Sequence, residues 1–131
     1  MNKDIDFPEV KGVYMAITCT PAAAGEDAAY HVYILNENKH PIYNVLVNST
    51  GYSDDQRTST LRHYVEQLKP GESFKLEAIN PELFSLVNQF WVSYYIDQKI
   101  YDKKFIFLPG SIVEENFSFI EKLDKQGVLH T

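Results

Sequence analysis

Residues 90–97 have the sequence Phe-Trp-Val-Ser-Tyr-Tyr-Ile-Asp, in which the side chains from Phe90 onward alternate between an apolar and a mixed face. A period of two is the pattern of a β-strand. Residues 100–108 have the same character after a short turn, and so predict the antiparallel partner of a hairpin. The mixed face also carries the rings of Trp91 and Tyr95. If both faces are apolar, the strand is expected to be central, with a helix or a second subunit covering its other side.

Five further segments have strand character and are separated by turn-forming residues: 10–18, 29–35, 42–49, 61–68 and 73–79. The turn at 36–41, Asn-Glu-Asn-Lys-His-Pro, predicts a hairpin between the second and third of them. In the third segment we expect Tyr43, Val45 and Val47 to face the core.

The remaining segments are less regular. Asn80 followed by Pro81 predicts a short helical turn. The apolar spacing in 112–123 fits either a short helix or an irregular segment that packs across the body of the protein. Residues 1–9 and 124–131 are expected to be loose termini.

The chain has 131 residues, which predicts a single domain over 1–131. About seven short strands with turns between them predict an all-β fold, an antiparallel β-sandwich of immunoglobulin-like architecture with one or two short helical turns. A small β-barrel is the alternative. Cys19 is the only cysteine, so the fold is expected to be stable without an intrachain disulfide.

Charge and composition exclude several classes of function. The formal net charge of −6 argues against general affinity for nucleic acid or anionic membranes. Acids near the N-terminus and the lack of a long apolar run predict a cytoplasmic protein without membrane contact. The sequence has no nucleotide-binding or nucleophile motif, and its histidines lack metal-site spacing: His31, His40, His63 and His130. We therefore expect no metal, no cofactor and no catalytic residues.

The polar run 51–63, Gly-Tyr-Ser-Asp-Asp-Gln-Arg-Thr-Ser-Thr-Leu-Arg-His, lies between two predicted strands. Loops on a rigid β scaffold are where binding groups collect, and Arg57 and Arg62 carry donors suited to carboxylate or phosphate groups. The alternative interpretation is a connecting loop whose acids and arginines pair locally. The candidate binding residues of this run are Tyr52, Asp55, Arg57, Thr58, Ser59, Thr60, Arg62 and His63.

A set of aromatic residues around the predicted hairpin allows two interpretations. On one exposed sheet face the rings would form a platform for a peptide or a carbohydrate. Inside a sandwich the same rings would be core. The set is Trp91, Tyr95, Tyr101, Phe105 and Phe107.

The blocks 51–63 and 88–105, with the closing residues 126–129, resemble a small family of uncharacterised bacterial proteins. The resemblance covers about 8–129, and members of that family often carry the name phenylalanyl-tRNA synthetase subunit alpha. It implies no catalytic residues. The chain is far shorter than a synthetase catalytic domain of that class, and Arg57 and Arg62 do not lie in an ATP-binding sheet, so we expect no aminoacyl-tRNA synthetase activity.

Taken together, the sequence favours a binding module over an enzyme, one that contacts a protein or peptide through 51–63 with Arg57 and Arg62 as anchors. An alternative is an accessory subunit or small enzyme linked to translation, with a pocket near Asp55 and His63. A homodimer formed through exposed strand edges is a further alternative.

Overall fold

Two antiparallel sheets face each other in the computed structural model, which describes residues 8–131. The strands are β1 Val13–Thr20, β2 Ala29–Asn36, β3 Ile42–Tyr52, β4 Leu61–Leu68, β5 Ser73–Ala78, β6 Val87–Ile96, β7 Lys99–Phe107, β8 Ser118–Ile120 and β9 Lys125–His130. The first sheet has the order β5-β2-β1-β9-β8 and the second has the order β4-β3-β6-β7. The predicted all-β antiparallel sandwich is confirmed.

The C-terminal segment differs from the prediction, because 124–131 is not loose. β9 lies in the middle of the first sheet, between β1 and β8, so the described residues form nine strands rather than about seven. Gly127 lies against the backbone of Ile17 and Thr18, where any side chain would collide with it. The composition of β9, with Lys, Gln, Gly and His, hid its strand character. The predicted loose segment 1–9 lies outside the described residues as far as residue 7.

The hairpin predicted between the second and third strands is wrong. β2 pairs with β1 and β5, whereas β3 pairs with β4 and β6, so the turn between β2 and β3 crosses from one sheet to the other. The buried side chain of Asn36 forms hydrogen bonds at this crossing. Its Nδ2 donates to the carbonyl oxygens of His40 and Leu68, each at 3.0 Å, which ties the crossing turn to the end of β4.

The core lies between the two sheets and is built from alternate residues of each strand. Val45 and Val47 face it as predicted, but Tyr43 is exposed. Asn44 has a φ of 50°, and the pairing of β3 with β6 shifts register between Tyr43 and Leu46. This bulge turns Tyr43 to the opposite face.

The hairpin of β6 and β7 is confirmed, and β6 is central as predicted. Phe90, Val92 and Tyr94 are buried, while Trp91 and Tyr95 on the other side are exposed. In residues 8–131 no helix or other element covers these two rings, and the helical segments are short 3-10 turns: Pro81–Ser85, Glu114–Asn116 and Glu121–Leu123. None of the described helices has the length and apolar character that a membrane span requires.

The buried Tyr94 hydroxyl gives a prediction about stability. Its ring stacks on Tyr101, and its oxygen has no hydrogen-bond partner among residues 8–131. Burial, and to a lesser degree the neighbouring Tyr101, raises the pKa of Tyr94 far above its usual value. Because an unpaired buried hydroxyl is unfavourable, Tyr94→Phe is expected to raise the free energy of unfolding by about 1 kcal/mol. Urea denaturation measures this. Tyr95→Phe, at an exposed ring, is the control, and a loss of stability in Tyr94→Phe would contradict the prediction.

Candidate functional site

The polar run 51–63 is not one loop. β3 continues to Tyr52 and β4 begins at Leu61, so only 53–60 connects them. The connection is tightly folded: Thr58 N–H donates to the Gly51 carbonyl at 2.8 Å, and Ser53 N–H donates to the Gln56 carbonyl at 2.9 Å. The arginines and His63 are therefore held on or beside strands.

Strand alternation divides the predicted binding residues between two sides of the second sheet. Arg62 pairs with Asn48 and points away from the core, whereas His63 pairs with the buried Val47 and points inward. Tyr52 belongs to the outward set, and the Arg57 guanidinium carbon lies 5.7 Å from the centre of its ring. Thr60 joins the same side, where its Oγ1 lies 3.0 Å from Thr50 Oγ1.

Thr58 and Ser59 lie on the other side and line a cavity beneath the connection. Asp55 lies on neither side. It is exposed in the connection, and its Oδ1 accepts from Ser53 Oγ at 3.0 Å. The structure thus pairs Asp55 locally and keeps it apart from His63.

We call the solvent side of the second sheet the outer face. Large side chains cover it from one edge strand to the other: Tyr43, Leu46, Tyr64, Trp91, Tyr95, Ile100 and Ile106, each at least 37% exposed. One cross-strand row runs Arg62–Asn48–Trp91–Lys104, and the next runs Tyr64–Leu46–Ser93–Asp102. The outer face therefore carries several exposed aromatic and aliphatic side chains, with polar and charged residues between them.

Trp91 is held in place at the centre of this surface. Its Nε1 donates to Asp102 Oδ1 at 2.7 Å, and Lys104 Nζ lies 4.4 Å from the centre of its ring. These two contacts already restrict the Trp91 side chain. Its ring can therefore bind a partner with little further loss of conformational entropy.

The aromatic set singled out in the sequence is divided between the two sides of the second sheet. Trp91 and Tyr95 lie on the outer face, and Phe105 and Phe107 are buried in the core. Tyr101 is half-buried and stacks on Tyr94, with ring centres 5.1 Å apart. The core interpretation is therefore confirmed for Phe105 and Phe107, whereas the platform interpretation stays a prediction for the exposed rings of Trp91 and Tyr95.

On the inner side, a polar cluster joins the two sheets. His63 Nε2, on β4, lies 2.5 Å from Glu77 Oε1 on β5. Ser49 Oγ, on β3, donates to the same carboxylate oxygen at 3.0 Å. β4 and β5 are edge strands of the two sheets. The cluster therefore connects the two sheets through these edge strands.

The cavity next to this cluster has a volume of about 190 Å³. Its walls carry apolar groups from Leu61, Ile79, Leu83 and Phe90, and its polar lining includes Ser49, Glu77, Thr58 and Asn88. Sequence analysis missed Ser49, Glu77 and Asn88. For Ser49 and Asn88 a signal existed, because each is a polar residue at an inward position of an alternating strand.

The other histidines do not join the site. His31 lies on β2, at a position whose side chain faces away from Glu77, and burial together with Lys75 and Lys125 lowers its pKa. Within the part of the chain that the structure describes, no group of three or more His, Cys, Asp or Glu residues has the geometry to hold a metal ion.

Comparisons with known proteins do not place the chain. No family model matches it, and no curated protein matches it. The resemblance of the blocks 51–63 and 88–105 to a bacterial family stays a prediction.

Proposed function

We propose that this protein is an interaction module that binds an acidic segment of a protein or peptide on the outer face. The observation that carries the proposal is the exposed surface around Trp91, which is 42% accessible although its strand is central in the sheet. Large exposed apolar side chains that share one face with polar residues are typical of protein interaction sites. Trp, Tyr and Arg are also the residues that contribute most to binding energy at interfaces.

Charge on the outer face supports an acidic partner. Three cations lie on this face of a protein whose net charge is −6. Arg62 and Lys104 belong to the cross-strand row of Trp91, and Arg57 lies beside Tyr52. Among the described strand residues of the second sheet, the acids on the same face are Glu66, which is exposed, and Asp102, which already accepts a hydrogen bond from Trp91. Carboxylates of a partner would therefore meet guanidinium and ammonium groups, while its apolar side chains would cover the rings.

The immunoglobulin-like architecture is part of the same proposal, and strand order supports it. The first seven strands are arranged as β1-β2-β5 and β4-β3-β6-β7. An immunoglobulin-like sandwich places its strands in the corresponding orders A-B-E and C′-C-F-G. A cytoplasmic location also belongs to the proposal. It is supported by the low cysteine content, since Cys19 is free.

Replacing Arg57 and Arg62 together with alanine is expected to leave the fold intact and to raise the Kd for the partner by at least about a hundredfold, because each arginine supplies charge-assisted hydrogen bonds. The partner is first obtained by affinity purification with the tagged protein, and the Kd is then measured with the purified pair. Trp91→Ala is expected to weaken binding to a similar degree.

The matched control is Lys39→Ala with Lys69→Ala, which removes the same charge from exposed turns away from the outer face. An unchanged Kd in the folded arginine double variant would show that the arginines do not anchor the partner, and a variant that fails to fold would make them structural. Either result would overturn the proposal. Capture of untagged copies of the chain itself, insensitive to Trp91→Ala, would point instead to pairing through edge strands.

A second candidate, a small enzyme or accessory subunit linked to translation, is favoured by the cavity under the connection 53–60. Its chemistry would rest on His63 with Glu77, since Asp55 bonds to Ser53 instead. Under this hypothesis Glu77→Gln abolishes activity, while the arginine double variant retains it.

A further inference from the structure

Most of the hydrogen-bond donors that line the cavity beside Glu77 already donate to acceptors within the protein. Ser49 Oγ donates to Glu77 Oε1, and Thr58 Oγ1 donates to the Ser59 carbonyl at 3.0 Å. Asn88 Nδ2 donates to the carbonyls of Leu83 and Leu86, at 2.9 and 3.3 Å. The Ser59 side chain lies at the exposed rim. The interior of the cavity therefore offers little to a ligand that needs donors.

Acceptors, in contrast, are left over. An ionised carboxylate has about four acceptor positions, and Glu77 Oε2 is met only by the Ser49 hydroxyl, at 3.3 Å, within the described structure. Asn88 is 4% exposed, and its Oδ1 accepts no hydrogen bond from residues 8–131. Asn88 Oδ1 is not among the fully buried atoms that lack a partner, so this free acceptor is accessible, and Asn88 lines the cavity.

Space and walls limit the ligand further. At roughly 30 Å³ per water molecule, the volume of about 190 Å³ holds roughly six waters, so only a short molecule fits. Leu61, Ile79, Leu83 and Phe90 make most of the wall apolar. Gly51 also lines the cavity, where a Cβ would lie 3.2 Å from the Thr58 methyl and 3.4 Å from Asn88 Oδ1.

We infer that this cavity binds a small primary amine with a short aliphatic body, its ammonium group donating to Glu77 Oε2 and Asn88 Oδ1. The carboxylate supplies the opposite charge and the apolar wall takes the aliphatic part. The site lies on the inner side of the second sheet, so it does not depend on the partner proposed for the outer face.

The test titrates the full chain with isopentylamine and, in parallel, with isopentyl alcohol, which has the same shape without the charge. Amide chemical shifts in NMR report binding. We expect saturable shifts at Gly51, Thr58 and Asn88, with the Kd for the amine at least about tenfold lower than that for the alcohol. Equal affinity for both compounds, shifts outside the cavity, or no saturation in the millimolar range would overturn the inference.

Two variants and a control sharpen the result. Glu77→Gln is expected to raise the Kd for the amine by about tenfold and to leave that for the alcohol unchanged. Gly51→Ala narrows the cavity but keeps the carboxylate, so it is expected to raise the Kd of both compounds. If Glu77→Gln does not fold, this variant tests whether the compounds bind in the cavity. Asp55→Asn removes a charge in the connection outside the cavity and is expected to change nothing; amine binding lost in this control contradicts the assignment.

Discussion

Gly127→Ala is expected to lower the free energy of unfolding by about 3 kcal/mol or more, among the largest effects of any single methyl group in this chain. A Cβ at this position would overlap the carbonyl oxygen of Ile17 and come within 2.9 Å of Thr18 Cα. Both are backbone atoms of β1, which is itself held by β2. Neither can rotate away, so β9 would have to leave its place.

Equilibrium urea denaturation measures the loss, and hydrogen exchange locates it. We expect faster exchange over 118–130, since among the described strands β8 pairs with β9 alone. Gly51→Ala is the matched control, a strand glycine for which the three atoms nearest to an added Cβ belong to side chains, the closest at 3.2 Å. A Gly127→Ala protein as stable as this control would show that β9 is not packed against β1 as described.

The parts of the fold that follow from local periodicity could be predicted from sequence. β4 has its predicted bounds, 61–68, and the alternating apolar residues Phe90, Val92 and Tyr94 of β6 face the core. The prediction that Tyr43 faces the core is wrong because one residue, Asn44, takes a left-handed conformation and reverses the alternation before it. The hairpin predicted at 36–41 is wrong for another reason. A tight hairpin and a crossing between sheets use the same turn-forming residues, so the sequence of the turn does not distinguish them.

The candidate site was only half predictable, because its two sides depend on different kinds of information. Tyr52, Arg57 and Arg62 lie close together in the sequence and share the outer face. Glu77 meets His63 and Ser49 from 14 and 28 residues away. Such a contact depends on how two sheets are stacked, which no local pattern encodes.

Neighbouring residues of β4 point to opposite sides of the second sheet, so the two proposed binding sites can be varied separately. Arg62 points to the outer face and His63 to the inner cluster, although they are adjacent in sequence. Because side chains on opposite faces share no partner, changes on the two faces should add independently. The outer-face partner and the cavity ligand can therefore be tested with variants that do not disturb each other.

Asn36→Asp tests whether a single amide fixes the crossing between the sheets. The side chain is fully buried, and its Nδ2 faces the carbonyl oxygens of His40, Leu68 and Lys69, the last at 3.3 Å. The substitution keeps the shape but replaces the donor with an oxygen, so acceptor faces acceptor. We expect a loss of about 2–4 kcal/mol in the free energy of unfolding at neutral pH.

The pH dependence of that loss separates lost hydrogen bonds from altered packing. At low pH the introduced carboxyl is protonated and regains one donor, so the difference between Asn36→Asp and the unsubstituted protein should shrink as pH falls. Asn44→Asp makes the same chemical change at an exposed site, where Oδ1 only accepts from the Tyr64 hydroxyl, and is expected to cost little. A loss that stays constant from neutral to acidic pH would assign the role of Asn36 to packing, and the crossing would then be fixed by the backbone bonds that Asn36 makes with Gly71 and Glu72.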